Sequence, residues 1–568
     1  MKSKKSDKHK LTYDLKRTKD PSKSVTSTTK KSTLPKYSIA LVLIMMLGVF
    51  LSVYFFYGPS PINYNDNYIY SNLAYLMTTG SYPFINSGIL AQRYILIGGI
   101  ALFYYLFSPS RISAAGFGII CFILNIAVVY KIGSELYNKK GGILSALVYS
   151  FSAIDVVNAS YVGDNGPMAL IVSLSVLMLI IALKSNKKHN VYYFLAGMLP
   201  IIGILISSQT LEIMLLIVIV LIFYVIKNRN RLMIDNILMF SAGIVLAILF
   251  IIALSSTVGN HPFYILGAIT NHPEDFCTTS PILRYTGWMF PENFTLNIYN
   301  IANAVRNGTN VYSSLSYAIN YPFKAHANLL QEFNTEGQSI GLYAYFAILG
   351  AISLLIAKRF KSAAFPALWV IVTFGFMGFG VVSLKNLLFI CTAAPRLMLI
   401  FTPALALLIG MGMAGFMDLS KNRNYRYAAC AISVILIIVL FYSSYVLIRY
   451  TELSQYKYIY PILQISNFIK TLPKGTIVYT DVQLDPSFYG AGYFVYGPIT
   501  IRDCNNIRHN SYVILNTTYI DSIMQSCNLS LAFAPPATPK YLQNYTGLSS
   551  YLDGYFGILT NERVYYRN

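Results

Sequence analysis

The sequence predicts an α-helical polytopic membrane protein with about 11 spans, followed by a small α/β domain outside the membrane. Of the 568 residues, 55% are hydrophobic and 11% are charged, and the mean hydropathy of +0.52 exceeds what a soluble chain of this length needs. Apolar runs of membrane-spanning length alternate with short loops that hold Lys and Arg. After residue 448 the apolar runs stop, and Pro, Asp and Asn become frequent.

The net charge of +21 comes from membrane topology rather than from a nucleic-acid-binding surface. Of the 43 Lys and Arg residues, 12 lie between Lys2 and Lys36, and most others lie in short loops between apolar runs. Residues 1–37 are rich in Lys, Ser and Thr and show no periodicity. This pattern predicts a disordered cytoplasmic tail attracted to anionic membrane lipids, and it excludes nucleic acid as a partner.

The basic loops orient the spans of a transmembrane domain over residues 38–448. With the N-terminus inside, each basic cluster falls on the cytoplasmic side, and two long polar loops, 58–113 and 257–339, fall outside. The predicted spans are 38–57, 114–132, 142–157, 167–183, 192–206, 211–226, 237–255, 342–357, 364–382, 397–416 and 428–448.

The apolar run 94–107 is not counted as a span. It has only 14 residues, which is short for a crossing and typical of an interfacial or re-entrant helix. Counting it would also put Lys139 and Lys140 outside, against the positive-inside bias.

Residues 449–568 are expected to form a separate extracytoplasmic α/β domain. A helix is predicted at 465–472, with strands at 476–479, 512–515 and 563–566. Cys504 and Cys527 share this domain, and the sequence leaves open whether they pair.

Two acidic residues are candidates for chemistry because both fall at helix starts on the predicted outer face. Asp66 opens a segment in which Ile69, Leu73 and Met77 recur at helical spacing, so an amphipathic helix with one face in lipid is expected. Asp164 precedes the span 167–183. Each could instead be an ordinary N-cap, whose side chain satisfies a free backbone N–H.

Several stretches together resemble the GT-C superfamily of polyprenyl-phosphate-sugar-dependent glycosyltransferases, in particular protein O-mannosyltransferases and lipid A aminoarabinose transferases. The matching pieces are Asn65-Asp66-Asn67 through Met77, Gln92-Arg93-Tyr94 ahead of LFYYLFSPS, ASYVGDNGPMALIVSLSVLML, Pro395-Arg396 ahead of LMLIFTPALALLIG, and, in the outer domain, ISNFIKTLPKGTIVYTD and GILTNERVYYRN. The resemblance implies a GT-C-like membrane fold. It also implies transfer of a sugar from a lipid phosphate carrier of the dolichyl-phosphate type to a protein, lipid or glycan acceptor.

The same resemblance implies roles for individual residues. Asp66 is the candidate general base that deprotonates the acceptor, and Asp164 could orient Asp66, bind the acceptor or help to hold a divalent cation. Arg93 and Arg396 suit the carrier phosphate, because a guanidinium binds oxyanions bidentately. Alternatively, the two arginines anchor the ends of spans among the lipid headgroups and bind no substrate.

A divalent metal ion is a possible cofactor, with Asp164, His272, Glu274 and Asp275 as candidate ligands. Many relatives carry an Asp-Glu pair in the first loop, whereas this chain has Asp66-Asn67. That difference removes one carboxylate that a metal would use.

Three other functions remain open. An oligosaccharyltransferase of the same superfamily carries a Trp-Trp-Asp motif, but Trp288 and Trp369 lie far apart in this chain. A transporter or flippase is expected to place ionisable groups within its spans, and these spans hold few acids; Asp155 and Asp235 lie near span ends and form no relay. The third alternative is a surface protein whose outer domain binds a partner.

Overall fold

The computed structural model describes residues 36–54, 66–80, 92–184, 190–227, 232–259, 276–277, 342–379, 381–383, 388–390, 399–419, 423–480, 494–496, 509–516, 529–535 and 562–567. Helices dominate these residues. In chain order they are α1 Lys36–Tyr54, α2 Asp66–Thr78, α3 Tyr94–Phe107, α4 Arg111–Leu136, α5 Lys139–Ser150, α6 Ala153–Ser160, α7 Asn165–Lys184, α8 Asn190–Ile202, α9 Glu212–Lys227, α10 Leu232–Gly259, α11 Leu342–Ile356, α12 Phe360–Phe379, α13 Thr402–Leu419 and α14 Arg423–Ile469.

The described helices include 7 that are long and apolar enough to cross a membrane, and 8 if the bent pair α5 and α6 is one span. These correspond to eight of the predicted crossings. The other three predicted crossings are the shorter apolar helices Val191–Leu205, Leu342–Ile356 and Phe360–Thr373. The chain is therefore a multi-pass helical membrane protein.

The predicted span 142–157 is not one straight helix. Helix α5 ends at Ser150, α6 begins at Ala153, and their axes differ by 58°. The break contains neither Pro nor Gly, the usual local causes of a kink, so no residue at the break predicts it.

Helix α2 begins at Asp66 as predicted, but its apolar face does not simply face lipid. Tyr70, Leu73 and Ala74 are buried against α3, where they pack with Leu96 and Ile97. The positions are spaced i, i+3 and i+4, so they form one stripe on the helix. The stripe is covered by a neighbouring helix.

The core of the bundle brings the two halves of the chain together. Helix α13 packs between α5 and α11, and most of its residues are buried. Glycines permit a close approach: a Cβ on Gly412 would lie 2.3 Å from the Cα of Gly350 on α11. This contact fixes α11 and α13 side by side.

Charged residues gather where α4, α7 and α13 end. Lys184 lies 3.4 Å from Glu135, and Lys140 lies 3.2 Å from Asp418. Tyr137 donates a hydrogen bond of 2.8 Å to Asp418; burial and this carboxylate raise the pKa of Tyr137 to about 12. Helix α7 has 20 residues and so is about 30 Å long, which separates this charged end from Asp164 by about the thickness of a hydrocarbon core.

The described C-terminal strands form a sheet. Its five described strands, β4 Ile477–Thr480, β5 Phe494–Tyr496, β6 Ser511–Asn516, β7 Leu529–Phe533 and β8 Glu562–Arg567, have the order β5-β4-β6-β8-β7. Strand β4 is parallel to β5 and β6, and β8 is antiparallel to β6 and β7. A smaller sheet joins β1 Phe276–Cys277, β2 Val381–Ser383 and β3 Leu388–Ile390.

One helix links the membrane bundle to the sheet. Helix α14 has 47 residues and runs without interruption through the boundary predicted at residue 449. Near its end, Ile465 and Ile469 are buried against Val478 and Ile514 of the sheet. The span 428–448 and the helix predicted to follow it are therefore parts of a single helix.

Candidate functional site

Arg93 and Asp164 form the centre of the candidate site. They are 71 residues apart in sequence, yet Arg93 Nη1 donates a hydrogen bond of 2.6 Å to Asp164 Oδ2. Their side chains are 18% and 12% exposed, so the pair is mostly shielded from solvent. Charge-assisted bonds of this length are among the stronger polar contacts in proteins.

Each partner is positioned by a helix start. Arg93 immediately precedes α3, and its carbonyl accepts the bond from the N–H of Ile97 that begins the helix. Asp164 immediately precedes α7, and its carbonyl accepts from the N–H of Met168 at 2.8 Å. The main chain of Asp164 thus begins α7. Among the described residues, the carboxylate of Asp164 bonds to Arg93 rather than to the amides of its own helix.

Helix α2 contacts Arg93 of the ion pair through the ring of Tyr70. The guanidinium carbon of Arg93 lies 5.4 Å from the centre of the Tyr70 ring, a cation–π contact. One residue further, Ser71 and Tyr104 share a hydrogen bond between their hydroxyl groups, which ties α2 to α3. The elements α2, α3 and α7 therefore meet at the Arg93–Asp164 pair.

Asp66 is the first residue of α2, four positions before Tyr70. Residues at this spacing share one face of a helix, with Cβ atoms about 5–6 Å apart. The backbone thus puts position 66 one turn from the residue that contacts Arg93. The side chain of Asp66 lies outside the described residues.

The remaining predicted site residues also lie outside the described residues. These are Arg396, His272, Glu274 and Asp275, and the cysteines Cys504 and Cys527 lie outside as well. Among the residues that are described, no three His, Cys, Asp or Glu side chains lie close enough together to hold a metal ion. Asp164, the one described candidate ligand, already bonds to a guanidinium. The described residues therefore do not make a metal site.

Sequence reasoning missed three polar side chains in the bundle. Oxygen atoms of Gln92, Gln209 and Glu212 are buried and have no hydrogen-bond partner among the described residues. Glu212 begins α9 after two short 3₁₀ turns, of which Gly203–Leu205 contacts α3 and Ser208–Leu211 contacts α7. An acidic residue at the start of an otherwise apolar run was the signal that could have identified it.

Asp155 was expected near a span end and in no relay. The structure adds that it is 1% exposed and lies on α6, just after the 58° bend between α5 and α6.

Comparison with known proteins identifies related sequences and folds. Residues 99–255 match the family model described as dolichyl-phosphate-mannose-protein mannosyltransferase, a segment that includes Asp164 but not Asp66 or Arg93. No curated protein matches the chain.

Solved structures of three kinds are similar. ArnT from Cupriavidus metallidurans bound to undecaprenyl phosphate has a TM-score of 0.52 at 11% identity, covering 93% of this chain and 97% of that one. The Archaeoglobus fulgidus oligosaccharyltransferase in the apo form has a TM-score of 0.49 at 12% identity, covering 85% and 69%. The mycobacterial arabinofuranosyltransferase AftD has a TM-score of 0.42 at 11% identity, covering 84% and 35%.

The fold agreement with ArnT extends over nearly the whole of both chains. The family match adds a sequence signature over less than a third of this chain. The chain is thus a multi-pass membrane protein with the fold of the GT-C glycosyltransferases, and its residues 99–255 resemble the dolichyl-phosphate-mannose-protein mannosyltransferases.

Proposed function

We propose that this protein transfers a sugar from a polyprenyl-phosphate carrier to a protein, lipid or glycan acceptor at the outer face of the cell membrane. The observation that carries the proposal is the Arg93–Asp164 pair at the meeting point of α2, α3 and α7. The family match to mannosyltransferases and the fold shared with ArnT, whose structure contains undecaprenyl phosphate, support the donor class.

In this mechanism Arg93 binds the carrier phosphate. The leaving phosphate gains negative charge as the bond to the anomeric carbon breaks, so a fixed guanidinium stabilises the transition state more than the ground state. Asp164 and the ring of Tyr70 hold the guanidinium plane in place. Arg396 is proposed as a second phosphate ligand.

Asp66 is proposed as the general base. The acceptor must lose a proton as it attacks the anomeric carbon, and the transition state has oxocarbenium character. The position of Asp66 one turn before Tyr70 supports this role, because it brings the start of α2 close to the residues proposed to bind phosphate. The bond between Asp164 and Arg93 favours one role for Asp164. It orients Arg93, the proposed ligand of the phosphate, rather than orienting Asp66, binding the acceptor or holding a metal ion.

The test is product formation by the purified protein in detergent. Radiolabelled mannose, aminoarabinose or another sugar on a polyprenyl monophosphate is incubated with protein, lipid and glycan acceptors, and the acceptor fraction is analysed. A transporter or a partner-binding surface protein forms no product without a sealed compartment, so absence of product with every donor and acceptor would overturn the proposal. Transfer only from a diphosphate-linked oligosaccharide would instead assign an oligosaccharyltransferase-like activity.

A further inference from the structure

The break between α5 and α6 is held by a buried carboxylate. Asp155 lies in the first turn of α6 and is 1% exposed. Its Oδ2 accepts a hydrogen bond of 2.5 Å from Ser152 Oγ, the residue at the break. Its Oδ1 accepts one of 2.9 Å from Thr402 Oγ1, the first residue of α13. One side chain therefore joins the break in the N-terminal half to a helix start 247 residues later.

Further polar contacts join α5 to neighbouring helices. The hydroxyl of Tyr149 on α5 accepts a hydrogen bond of 2.7 Å from Asn125 Nδ2 on α4. Tyr343 on α11 donates to the carbonyl of Val148 at 2.9 Å. An ionisable group buried in a span is costly, and its retention points to a function that apolar packing does not supply.

Helix α6 leads directly to Asp164. Three residues separate the end of α6 at Ser160 from Asp164. The path is tightly packed: a Cβ on Gly118 of α4 would lie only 2.8 Å from the carbonyl oxygen of Ala159. Asn165, the first residue of α7, donates a bond of 3.2 Å to Asn158 on α6. A shift of α6 must therefore move Asp164.

We propose that Asp155 is a positioning residue for the candidate site: by joining the break at Ser152 to Thr402, it fixes α6 and so sets Asp164 against Arg93. Thr402 also stands six residues after Arg396 in the sequence. The same hydrogen bond thus joins α6, which leads to Asp164, to the helix start that follows Arg396 in the sequence. The inference rests on the proposed function, and it names residues that neither contact the donor nor take part in proton transfer.

If Asp155 only stabilised the fold, loss of its hydrogen bonds would change the melting temperature rather than kcat. A satisfied polar group in a core contributes to stability, and its loss lowers the melting temperature without a selective effect on turnover. A positioning role predicts a fall in kcat in protein that remains folded, because a displacement of about 1 Å in a catalytic site can cost about 100-fold in rate. Measurements of kcat and of the melting temperature on the same variants therefore distinguish the two roles.

The first test compares Thr402→Val with Thr402→Ser. Valine keeps the shape but removes the donor to Asp155, whereas serine keeps the hydroxyl. We expect kcat to fall at least about tenfold in Thr402→Val, with a smaller change in the KM for the lipid-linked donor, and to stay within about twofold of wild type in Thr402→Ser. Thr373→Val is the matched control, since Thr373 is a buried threonine that bonds only within its own helix among the described residues.

A second pair of variants keeps the test decisive if Thr402→Val does not fold. Ser152→Ala removes the other donor and is expected to lower kcat in the same way. Its control is Ser150→Ala, two residues away, because Ser150 bonds only to the carbonyl of Leu147 in its own helix among the described residues. Wild-type kcat in both Thr402→Val and Ser152→Ala would overturn the proposal, as would equal losses in the control variants.

A cryo-EM structure of Thr402→Val in lipid nanodiscs provides a readout that does not depend on activity. The proposal predicts a changed bend between α5 and α6 and a lengthened Arg93–Asp164 contact, against 58° and 2.6 Å here. An unchanged bend and contact would refute the positioning role. If the wild-type protein transfers no sugar, the proposed function fails, but this measurement still decides whether Asp155 sets the ion pair.

Discussion

Replacing Arg93 with alanine is expected to weaken donor binding by about 2–5 kcal/mol, the cost of truncating one partner of a shielded charge pair. That range corresponds to a Kd raised about 30-fold to several thousand-fold. The estimate applies because both side chains of the Arg93–Asp164 pair are less than a fifth exposed and the contact is short, at 2.6 Å. Loss of the guanidinium also leaves the Asp164 carboxylate shielded and without its cation, so it repels the incoming phosphate.

The uncompensated charge of Asp164 predicts a rescue. Asp164→Asn in the Arg93→Ala background removes the uncompensated charge, so the double variant should bind donor more tightly than Arg93→Ala alone. In a double-mutant cycle, residues in direct contact couple by about 0.5–3 kcal/mol, and we expect a coupling at the upper end of that range. Arg93→Lys should bind donor with intermediate affinity, since an ammonium keeps the charge but loses the planar fork.

The assay is direct binding of a polyprenyl monophosphate to the purified variants, with melting temperature measured in parallel. Arg111→Ala serves as the control for loss of one positive charge at a helix start. Wild-type donor affinity in Arg93→Ala, or additive effects of the two substitutions, would refute the assignment. Arg93 would then be an anchor in the headgroup region.

Three further predictions test the surroundings of the site. Tyr70→Leu should lower donor affinity several-fold by removing the cation–π contact of about 0.5–2 kcal/mol, whereas Tyr70→Phe, which keeps the ring, should bind donor normally; equal affinities would contradict this. Cysteines introduced at positions 140 and 164 should be labelled from opposite faces of the membrane, and labelling from one face would refute the predicted topology. Asp418→Asn should change stability by no more than about 1 kcal/mol, because its pair with Lys140 is exposed, and a larger loss of thermal stability would contradict that view.

The sequence predicts the helices well where a single physical signal dominates. Apolar runs of membrane length predict α4 and α7, and Pro167 falls in the first turn of α7, where a proline is well tolerated. The start of α2 at Asp66 follows from the i, i+4 spacing of the apolar residues after it. Each of these signals depends only on neighbouring residues, so a single sequence is enough to predict the helix.

Features set by distant contacts could not be predicted in the same way. The Arg93–Asp164 bond joins residues 71 positions apart, and the sequence around one residue does not indicate the other as its partner. The break at Ser152 has no helix-breaking residue and is accompanied by a contact with Thr402. The continuation of α14 past residue 448 was missed because Arg449 and the polar residues after it mark the membrane boundary, but polarity does not end a helix.

Turnover of Asp66→Asn decides whether Asp66 removes the proton of the acceptor. Asn ranks with Asp as an N-cap and keeps a hydrogen-bond acceptor, so it should preserve the start of α2 and the melting temperature. Turnover with saturating lipid-linked donor and acceptor should fall by at least the roughly 10²–10⁴-fold typical of general-base catalysis. Near-normal turnover by folded Asp66→Asn protein would contradict the account and leave Asp66 as a helix cap.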